Sequence, residues 1–134
     1  MKKIVHYCLN CGSELSDSRN KYCNNHCQLE YQFKKYIERW KNGLEDGIRG
    51  KYQISCHIRR YLFDKYDNKC SQCGWGELNL WTGYIPLEVH HIDGDYTNNV
   101  EDNLLLLCPN CHALTNTYKN ANKNGRTERK KYYN

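Results

Sequence analysis

Three histidines in the second half of the chain have the residue types and spacing to do chemistry. His90 and His91 are adjacent in the stretch LEVHHIDGD, and His112 directly follows a Cys-x-x-Cys pair. Histidine can bind a divalent cation or accept a proton near neutral pH. Neighbouring strand residues point to opposite faces, so His90 and His91 share a site only where a strand twists or ends, and Asp93-Gly94 marks such an end. Together the three histidines would suit metal-assisted hydrolysis.

Eight of the nine cysteines form four close pairs, which predict two metal centres. Paired two-residue spacers are typical of a four-thiolate zinc site. The pairs of the second half enclose 34 residues that contain the histidine pair, so this zinc would join the two ends of a folded insert. The predicted ligands of this site are Cys70, Cys73, Cys108 and Cys111.

The first half carries the other predicted zinc knuckle, formed by Cys8, Cys11, Cys23 and Cys27. His26 lies inside the second of these pairs and is an alternative ligand, but Cys23 and Cys27 are favoured because one helical turn separates them. A disulfide framework is the other interpretation of the cysteines. The N-terminal residues lack the apolar segment of a signal peptide, and no run reaches the length of a membrane span. We therefore expect reduced cysteines in a cytoplasmic protein that is not secreted.

The elements that must position these groups follow from periodicity and capping. Apolar residues at helical spacing predict an amphipathic helix from Leu29 to Trp40, followed by a glycine-rich linker from Gly43 to Gly50. Ser55 can cap a second helix, with the unpaired Cys56 as a small core residue.

Strands and a last helix are expected around the histidines. Leu87 to His91 and Leu104 to Leu107 have the apolar character of strands. The pair Cys108 and Cys111 would then open a last helix carrying His112 and Asn116 one turn apart on the same face.

Charge is unevenly distributed along the chain, whose net charge is +5. Residues 70–114 contain six acids and no lysine or arginine, whereas the segments on both sides are basic. An acidic centre that holds cations between basic arms that hold a polyanion would explain this pattern, although a solvated basic surface explains the arms equally well. Candidate phosphate contacts are Arg59, Arg60, Lys119, Lys123 and Arg126.

The succession CSQC, LEVHHIDGD and EDNLLLLCPNCH, over residues 70–118, resembles the HNH (ββα-metal) endonucleases, in particular their zinc-finger-containing subset. The N-terminal knuckle is similar to that of small free-standing HNH proteins of phages and mobile elements, including homing endonucleases. By position, the resemblance implies that His91 is the general base and His90 and His112 are the metal ligands. It implies that Asn103 is the motif asparagine that braces the loop. Some members place a further histidine where this chain has Asn116.

The resemblance implies a small α+β protein stapled by zinc. Its parts would be an N-terminal four-cysteine knuckle (residues 1–28), a helical linker region (29–66), a ββα-metal nuclease domain (67–118) and a flexible basic tail (119–134). The implied cofactors are two structural Zn²⁺ ions and one catalytic cation. We expect Mg²⁺ at the catalytic site, with Mn²⁺ or Ni²⁺ as alternatives, because imidazole is an unusual ligand for a hard cation.

The expected activity is cleavage or nicking of double-stranded DNA by a one-metal mechanism. No heptad pattern indicates a stable dimer, so a monomer or weak dimer is expected. Two alternatives stay open: a non-catalytic zinc module that binds nucleic acid, and an interaction adaptor built on two zinc knuckles. The second would show no salt-dependent binding to DNA.

Overall fold

The computed structural model describes Lys2 and residues 4–121. The chain divides into two compact units, Met1–Arg39 and Trp40–Asn134. This division into two units has other bounds than the four predicted segments, 1–28, 29–66, 67–118 and 119–134, which stay a prediction. Among the described residues, no helix has both the length and the apolar character needed to cross a membrane.

The first unit contains a short hairpin and most of a long helix. Strands β1 (His6–Tyr7) and β2 (Glu14–Leu15) pair antiparallel. Helix α1 spans Asn25–Lys41, and the Asn24 side chain accepts a hydrogen bond from the Cys27 amide at its start. The helix predicted from apolar spacing is therefore present and opens just inside the second cysteine pair. Ile37 and Trp40 are buried, whereas Leu29 is 62% exposed.

The segment predicted as a linker from Gly43 to Gly50 is partly ordered into a hairpin, and that prediction was wrong in this respect. Strand β3 (Ile48–Arg49) pairs antiparallel with β4 (Gln53–Ile54). Gly50 lies in the connecting turn with φ +61°. Left-handed backbone is the conformation glycine adopts without steric cost, so the residue interpreted as a linker signal serves as a turn.

Helix α2 (Cys56–Lys65) begins where Ser55 predicts, because the Ser55 hydroxyl accepts a hydrogen bond from the His57 amide. Ile58 and Leu62 are fully buried on one face. Cys56 is exposed, so its assignment to the core was wrong. It precedes Ile58 by two residues, which on a helix of about 3.6 residues per turn places it on nearly the opposite face.

The histidine region consists of two strands and a short helix. Strands β5 (Glu88–His91) and β6 (Leu104–Leu107) pair antiparallel, with His90 opposite Leu105 and His91 opposite Leu104. A 3₁₀ turn at Glu101–Asn103 leads into β6, and helix α3 (Pro109–Ala113) follows it. Both predicted strands are thus present. The whole is a small α+β protein, as predicted.

An apolar core lies beneath this region. Its buried members come from both strands, the start of α3 and the loop after α2, and they are Cys70, Leu87, Leu106, Leu107, Cys108 and Cys111. Phe63 of α2 and Trp75 pack against it. The cysteine cluster and the apolar core of the second unit are therefore the same structure.

Helix α3 is shorter than predicted. It ends at Ala113, and the amide of the capping residue Leu114 donates to the carbonyls of Cys111 and His112. Asn116 therefore lies in the turn beyond the helix, and its predicted position one turn from His112 on the same helix face was wrong. A 3₁₀ turn at Lys119–Ala121 ends the described chain, and Lys123 and Arg126 lie outside the described residues.

Candidate active site

Both four-cysteine groups are assembled as the spacing predicts. The four sulfurs of Cys8, Cys11, Cys23 and Cys27 lie within 4.8 Å of one another, and so do those of Cys70, Cys73, Cys108 and Cys111. Individual Sγ–Sγ distances include 3.3 Å for Cys11 with Cys23 and 3.7 Å for Cys73 with Cys108. His26 is exposed and outside its group.

The electrostatics of both groups suit thiolate ligands. Hydrogen bonding with the backbone, first of Cys11, lowers the pKa of the Cys8 thiol to about 6. Burial opposes ionisation of Cys70, but backbone hydrogen bonds, first with Cys108, lower the pKa of this thiol to about 6. Hydrogen bonds that the Cys23 and Cys111 thiols donate to neighbouring sulfurs, first to Cys27 and Cys108 respectively, raise the pKa of each thiol to about 12. Four thiolates this close repel one another, and a bound cation would relieve that repulsion. Either group could therefore hold zinc.

The second cysteine group also fixes the elements that carry the histidines. The Cys108 sulfur accepts a hydrogen bond from the Cys111 amide at the start of α3, at 3.4 Å. The Ser71 amide donates to the Leu106 carbonyl of β6 at 2.7 Å. The knuckle at residues 70–73 is thereby attached to the strand beside β5, and α3 begins at the cluster.

His90 and His112 face each other across the strand and the helix. Their ring centroids are 5.4 Å apart with the planes at 69°. His90 is buried, and burial lowers its pKa, as do the charges of His112 and His91. A neutral imidazole is the form that binds a metal. With metal–nitrogen bonds of about 2.1 Å, one nitrogen from each ring could reach a shared cation at this separation.

Glu88 is a functional candidate that the sequence interpretation missed. Its carboxylate lies 2.5 Å from Nδ1 of His112. An ionised carboxylate only accepts hydrogen bonds, so this contact favours the proton on Nδ1 and leaves Nε2 of the neutral ring with its lone pair. Glu88 and His90 are two residues apart on β5 and so share a face of the strand, a spacing that could have identified Glu88.

His91 ends β5 and contacts a different residue from His90. Its Nε2 lies 2.7 Å from Oδ1 of Asn99, which is buried. Asn99 was also missed, because no local pattern connects a loop asparagine to a histidine eight residues earlier. The two adjacent histidines therefore have separate partners: His90 lies beside His112, and His91 beside Asn99.

Asn103 holds the loop between the strands together. Its Nδ2 donates to Oδ1 of Asp93 at 2.9 Å and to the Asn98 carbonyl at 2.8 Å, and its Oδ1 accepts from the Asp93 amide at 3.1 Å. Burial alone would raise the pKa of Asp93, but hydrogen bonds from Asn98, the Asp95 amide and Asn103 outweigh burial and lower it. These contacts are those required to brace a loop.

The described candidate phosphate contacts lie on two elements, Arg59 and Arg60 on α2 and Lys119 on the last 3₁₀ turn. The Arg59 guanidinium donates to the Leu87 carbonyl at 3.1 Å and lies 5.1 Å from the Phe63 ring centroid. Arg60 is exposed on α2, and Lys119 extends over the ring of Tyr118 at 5.0 Å. The Tyr118 ring in turn contacts His112 at 5.3 Å between centroids, so Lys119 adjoins the site through one side chain.

Two comparisons with known proteins bear on this site. The chain is 38% identical over 99 residues to the H-N-H endonuclease F-TflIV of Escherichia phage T5, an alignment that covers 72% of this chain and 42% of the phage protein. It is 35% identical over 77 residues to the Zorya protein ZorE of Escherichia coli, with 58% of this chain and 16% of that protein covered. The similarity to a phage HNH endonuclease that the motifs predict is therefore confirmed.

The chain spans less than half the length of F-TflIV. No family model matches the chain, and no solved structure matches it. The comparisons thus support a nuclease of the HNH kind.

Proposed function

We propose that this protein is a metal-dependent DNA endonuclease or nickase, built on a ββα-metal finger with structural zinc at both cysteine clusters. The observation that carries the proposal is the close pair of His90 and His112, with His91 beside it at the end of the same strand. The similarity to the phage endonuclease supports it independently. The substrate we propose is double-stranded DNA.

The donor set fits one catalytic cation, which His90 and His112 would hold. When bound, such a cation supplies positive charge to the scissile phosphate and to the leaving 3′ oxygen. We propose Mg²⁺ as this cation, with Mn²⁺ or Ni²⁺ as alternatives that imidazole ligands favour. Glu88 contacts Nδ1 of His112, and burial lowers the pKa of His90, which favours its neutral ring.

His91 acts as the general base in this mechanism. It takes a proton from a water molecule, whose oxygen attacks phosphorus in line with the 3′ oxygen. The bond between phosphorus and the 3′ oxygen breaks, the 3′ oxygen takes a proton from solvent, and His91 releases its proton to solvent, which leaves a 5′-phosphate and a 3′-hydroxyl. Asn103 braces the loop through Asp93 and the Asn98 carbonyl, which keeps the end of β5 in place.

Basic residues outside the acidic centre would bind the phosphate backbone. Arg60 and Lys119 are exposed in the structure, and Lys123 and Arg126 belong to the same proposed set. Removing residues 119–134 should weaken DNA binding and reduce the slope of affinity against salt concentration, because fewer phosphate contacts release fewer counterions. An unchanged slope would mean that this segment does not contact the backbone.

Plasmid cleavage tests the proposal. Zinc-loaded protein is incubated with supercoiled plasmid and Mg²⁺, Mn²⁺ or Ni²⁺, beside His91→Ala and a control, His6→Ala, which removes an exposed histidine of β1. Loss of a general base should reduce the rate by about 10²–10⁴-fold. Intact plasmid under every cation, or equal cleavage by His91→Ala, would contradict the proposal. DNA binding that survives without cleavage would favour a non-catalytic zinc module.

A further inference from the structure

We infer that Asn99 is a positioning residue that fixes the proton of His91 on Nε2 and so presents Nδ1 to the attacking water. The inference rests on the proposed function for its consequence in catalysis. The assignment of the proton itself rests only on the hydrogen bonds around the two side chains.

The orientation of the Asn99 amide follows from its other partner. Nδ2 of Asn99 lies 3.1 Å from the backbone carbonyl oxygen of Asp46. A carbonyl oxygen only accepts hydrogen bonds, so the NH₂ group must face Asp46 and the amide oxygen must face His91. The Asp46 carbonyl therefore determines which terminal atom of the Asn99 amide is oxygen and which is nitrogen. The shape of the side chain alone does not distinguish the two.

The protonation of His91 follows in turn. The distance from its Nε2 to Oδ1 of Asn99 is 2.7 Å, which is a hydrogen bond. An amide oxygen carries no proton, so Nε2 must donate. A neutral imidazole has one ring proton, so Nδ1 keeps its lone pair and is the nitrogen able to accept a proton from water.

Asn99 is itself held rigidly by residues far away in the sequence. The Trp40 indole nitrogen donates to the Asn99 backbone carbonyl at 2.7 Å, and both residues are buried. The hydrogen bonds of Asn99 thus join the end of α1, the Asp46 carbonyl and the histidine at the end of β5. A side chain held at both its backbone and its amide can orient a partner without a large loss of rotamer entropy.

Gly47 allows the backbone at residues 46 and 47 to lie close to Asn99. A Cβ at residue 47 would lie 2.8 Å from Cβ of Asn99 and 2.6 Å from Cδ1 of Ile58, and the φ angle there is +75°. Both facts restrict the position to glycine. The Asp46 carbonyl can therefore reach the Asn99 amide only because the next residue has no side chain.

The two active-site histidines have opposite assignments in this arrangement. Glu88 accepts from Nδ1 of His112 and leaves Nε2 for the cation, whereas Asn99 accepts from Nε2 of His91 and leaves Nδ1 for water. A carboxylate partner suits a ring that stays bound to a cation, since it raises ligand basicity. A neutral amide orients the base without adding negative charge beside it.

The test combines a spectroscopic signature with kinetics on the zinc-loaded full chain. Correlation of ring carbon-bound protons with the ring nitrogens of ¹⁵N-histidine-labelled protein distinguishes the two tautomers, and His91→Ala assigns the signal. Wild-type His91 should carry its proton on Nε2. A wild-type ring protonated on Nδ1 would overturn the inference, and this measurement needs no variant of Asn99.

Three variants then test the role of the contact. Asn99→Ala should give a mixture of tautomers and reduce the single-turnover rate by about 10–100-fold with KM little changed, because the base is no longer oriented. Asn99→Asp keeps an acceptor oxygen towards His91 and should keep the proton on Nε2, although it loses the donor to the Asp46 carbonyl and adds a negative charge beside the ring. Thr97→Ala is the control from the same loop, where the hydroxyl bonds to Asp95 instead of a histidine. An Asn99→Ala protein with wild-type tautomer and rate would contradict the inference.

Trp40→Phe perturbs the position of Asn99 more mildly and retains an aromatic ring. It removes only the indole donor to the Asn99 carbonyl and should lower the rate less than Asn99→Ala does. Failure of the proposed function is distinguishable, because wild-type protein that cuts no DNA but shows the Nε2 tautomer, lost in Asn99→Ala, would leave the positioning role intact.

Discussion

The two cysteine clusters have the same four ligands, but they lie in different surroundings. In the first unit, Cys8 and Cys27 are buried while Cys11 and Cys23 are exposed, and the paired strands contribute no buried residue. In the second unit, three of the four cysteines are buried and belong to the apolar core. A metal held by the first cluster would therefore have little apolar core around it, whereas one held by the second would lie against the core of its unit.

The second cluster is also coupled to the chemistry, because α3 begins at Cys108 and carries His112 directly after Cys111. The four predictions that follow test this difference between the clusters.

Cys111→Ser should have the largest effect. It removes one ligand from the cluster that shares the core of the second unit, and a structural zinc site in small domains contributes about 10–16 kcal/mol of apparent binding free energy. We expect loss of one metal equivalent, loss of cooperative unfolding of the second unit and no detectable cleavage. Metal content, circular dichroism and plasmid cleavage measure these outcomes. Retained cleavage would separate the cluster from the active site.

Leu106→Ala should destabilise the second unit by about 2–5 kcal/mol, because it creates a cavity in the same core without replacing a predicted metal ligand. Chemical denaturation of zinc-loaded protein measures the change. Leu80→Ala is the control, since Leu80 is 86% exposed and should change stability by less than about 0.5 kcal/mol. Equal effects of the two substitutions would show that metal alone supports this unit.

Cys11→Ser should release the metal of the first cluster but leave the chemistry of the second unit. We expect disorder of residues in the first unit, seen as lost amide dispersion, with cleavage of a short duplex reduced much less than by Cys111→Ser. The reason is that His90, His91 and His112, the residues proposed to catalyse cleavage, all belong to the second unit. Abolished cleavage would mean that the first unit is required for catalysis.

Acidification should affect the two clusters alike. In each cluster one thiol has its folded pKa lowered from 9.0 to about 6 by backbone hydrogen bonds, Cys8 in the first and Cys70 in the second. The stabilisation from each thiolate is fully present above a pH of about 9 and is lost as pH falls through about 6. Metal release followed with a chromogenic chelator should therefore occur over the same pH range for both. Cys56→Ser, outside both clusters, should leave the curve unchanged.

Local signals in the sequence identified most elements of the fold. The cysteine spacing predicted both clusters, Ser55 predicted the start of α2, and apolar runs predicted β5 and β6. Each of these signals lies within a few residues of the feature that it specifies. The short hairpin at β3 and β4 was missed because two-residue strands carry too few positions for an alternating pattern.

Only part of the candidate site could be predicted from local sequence signals. The histidines and Asn103 belong to a contiguous motif, whereas Asn99 acquires its contacts from Trp40 and Asp46, which lie 59 and 53 positions earlier. Only the tertiary fold brings these groups together. The predicted position of Asn116 on the last helix was wrong because α3 ends at Ala113, before a second turn.

Strand-resolved mapping of the cut on a defined duplex is the sharpest test of metal-dependent cleavage with His91 as the base. Duplex DNA labelled on each strand in turn is incubated with zinc-loaded protein and a divalent cation, and the products are tested for ligation and for labelling by a kinase. The proposed mechanism predicts cation-dependent cuts with 5′-phosphate and ligatable 3′-hydroxyl ends, absent with His91→Ala. Ends of the opposite chemistry, or the same cuts from His91→Ala, would contradict it.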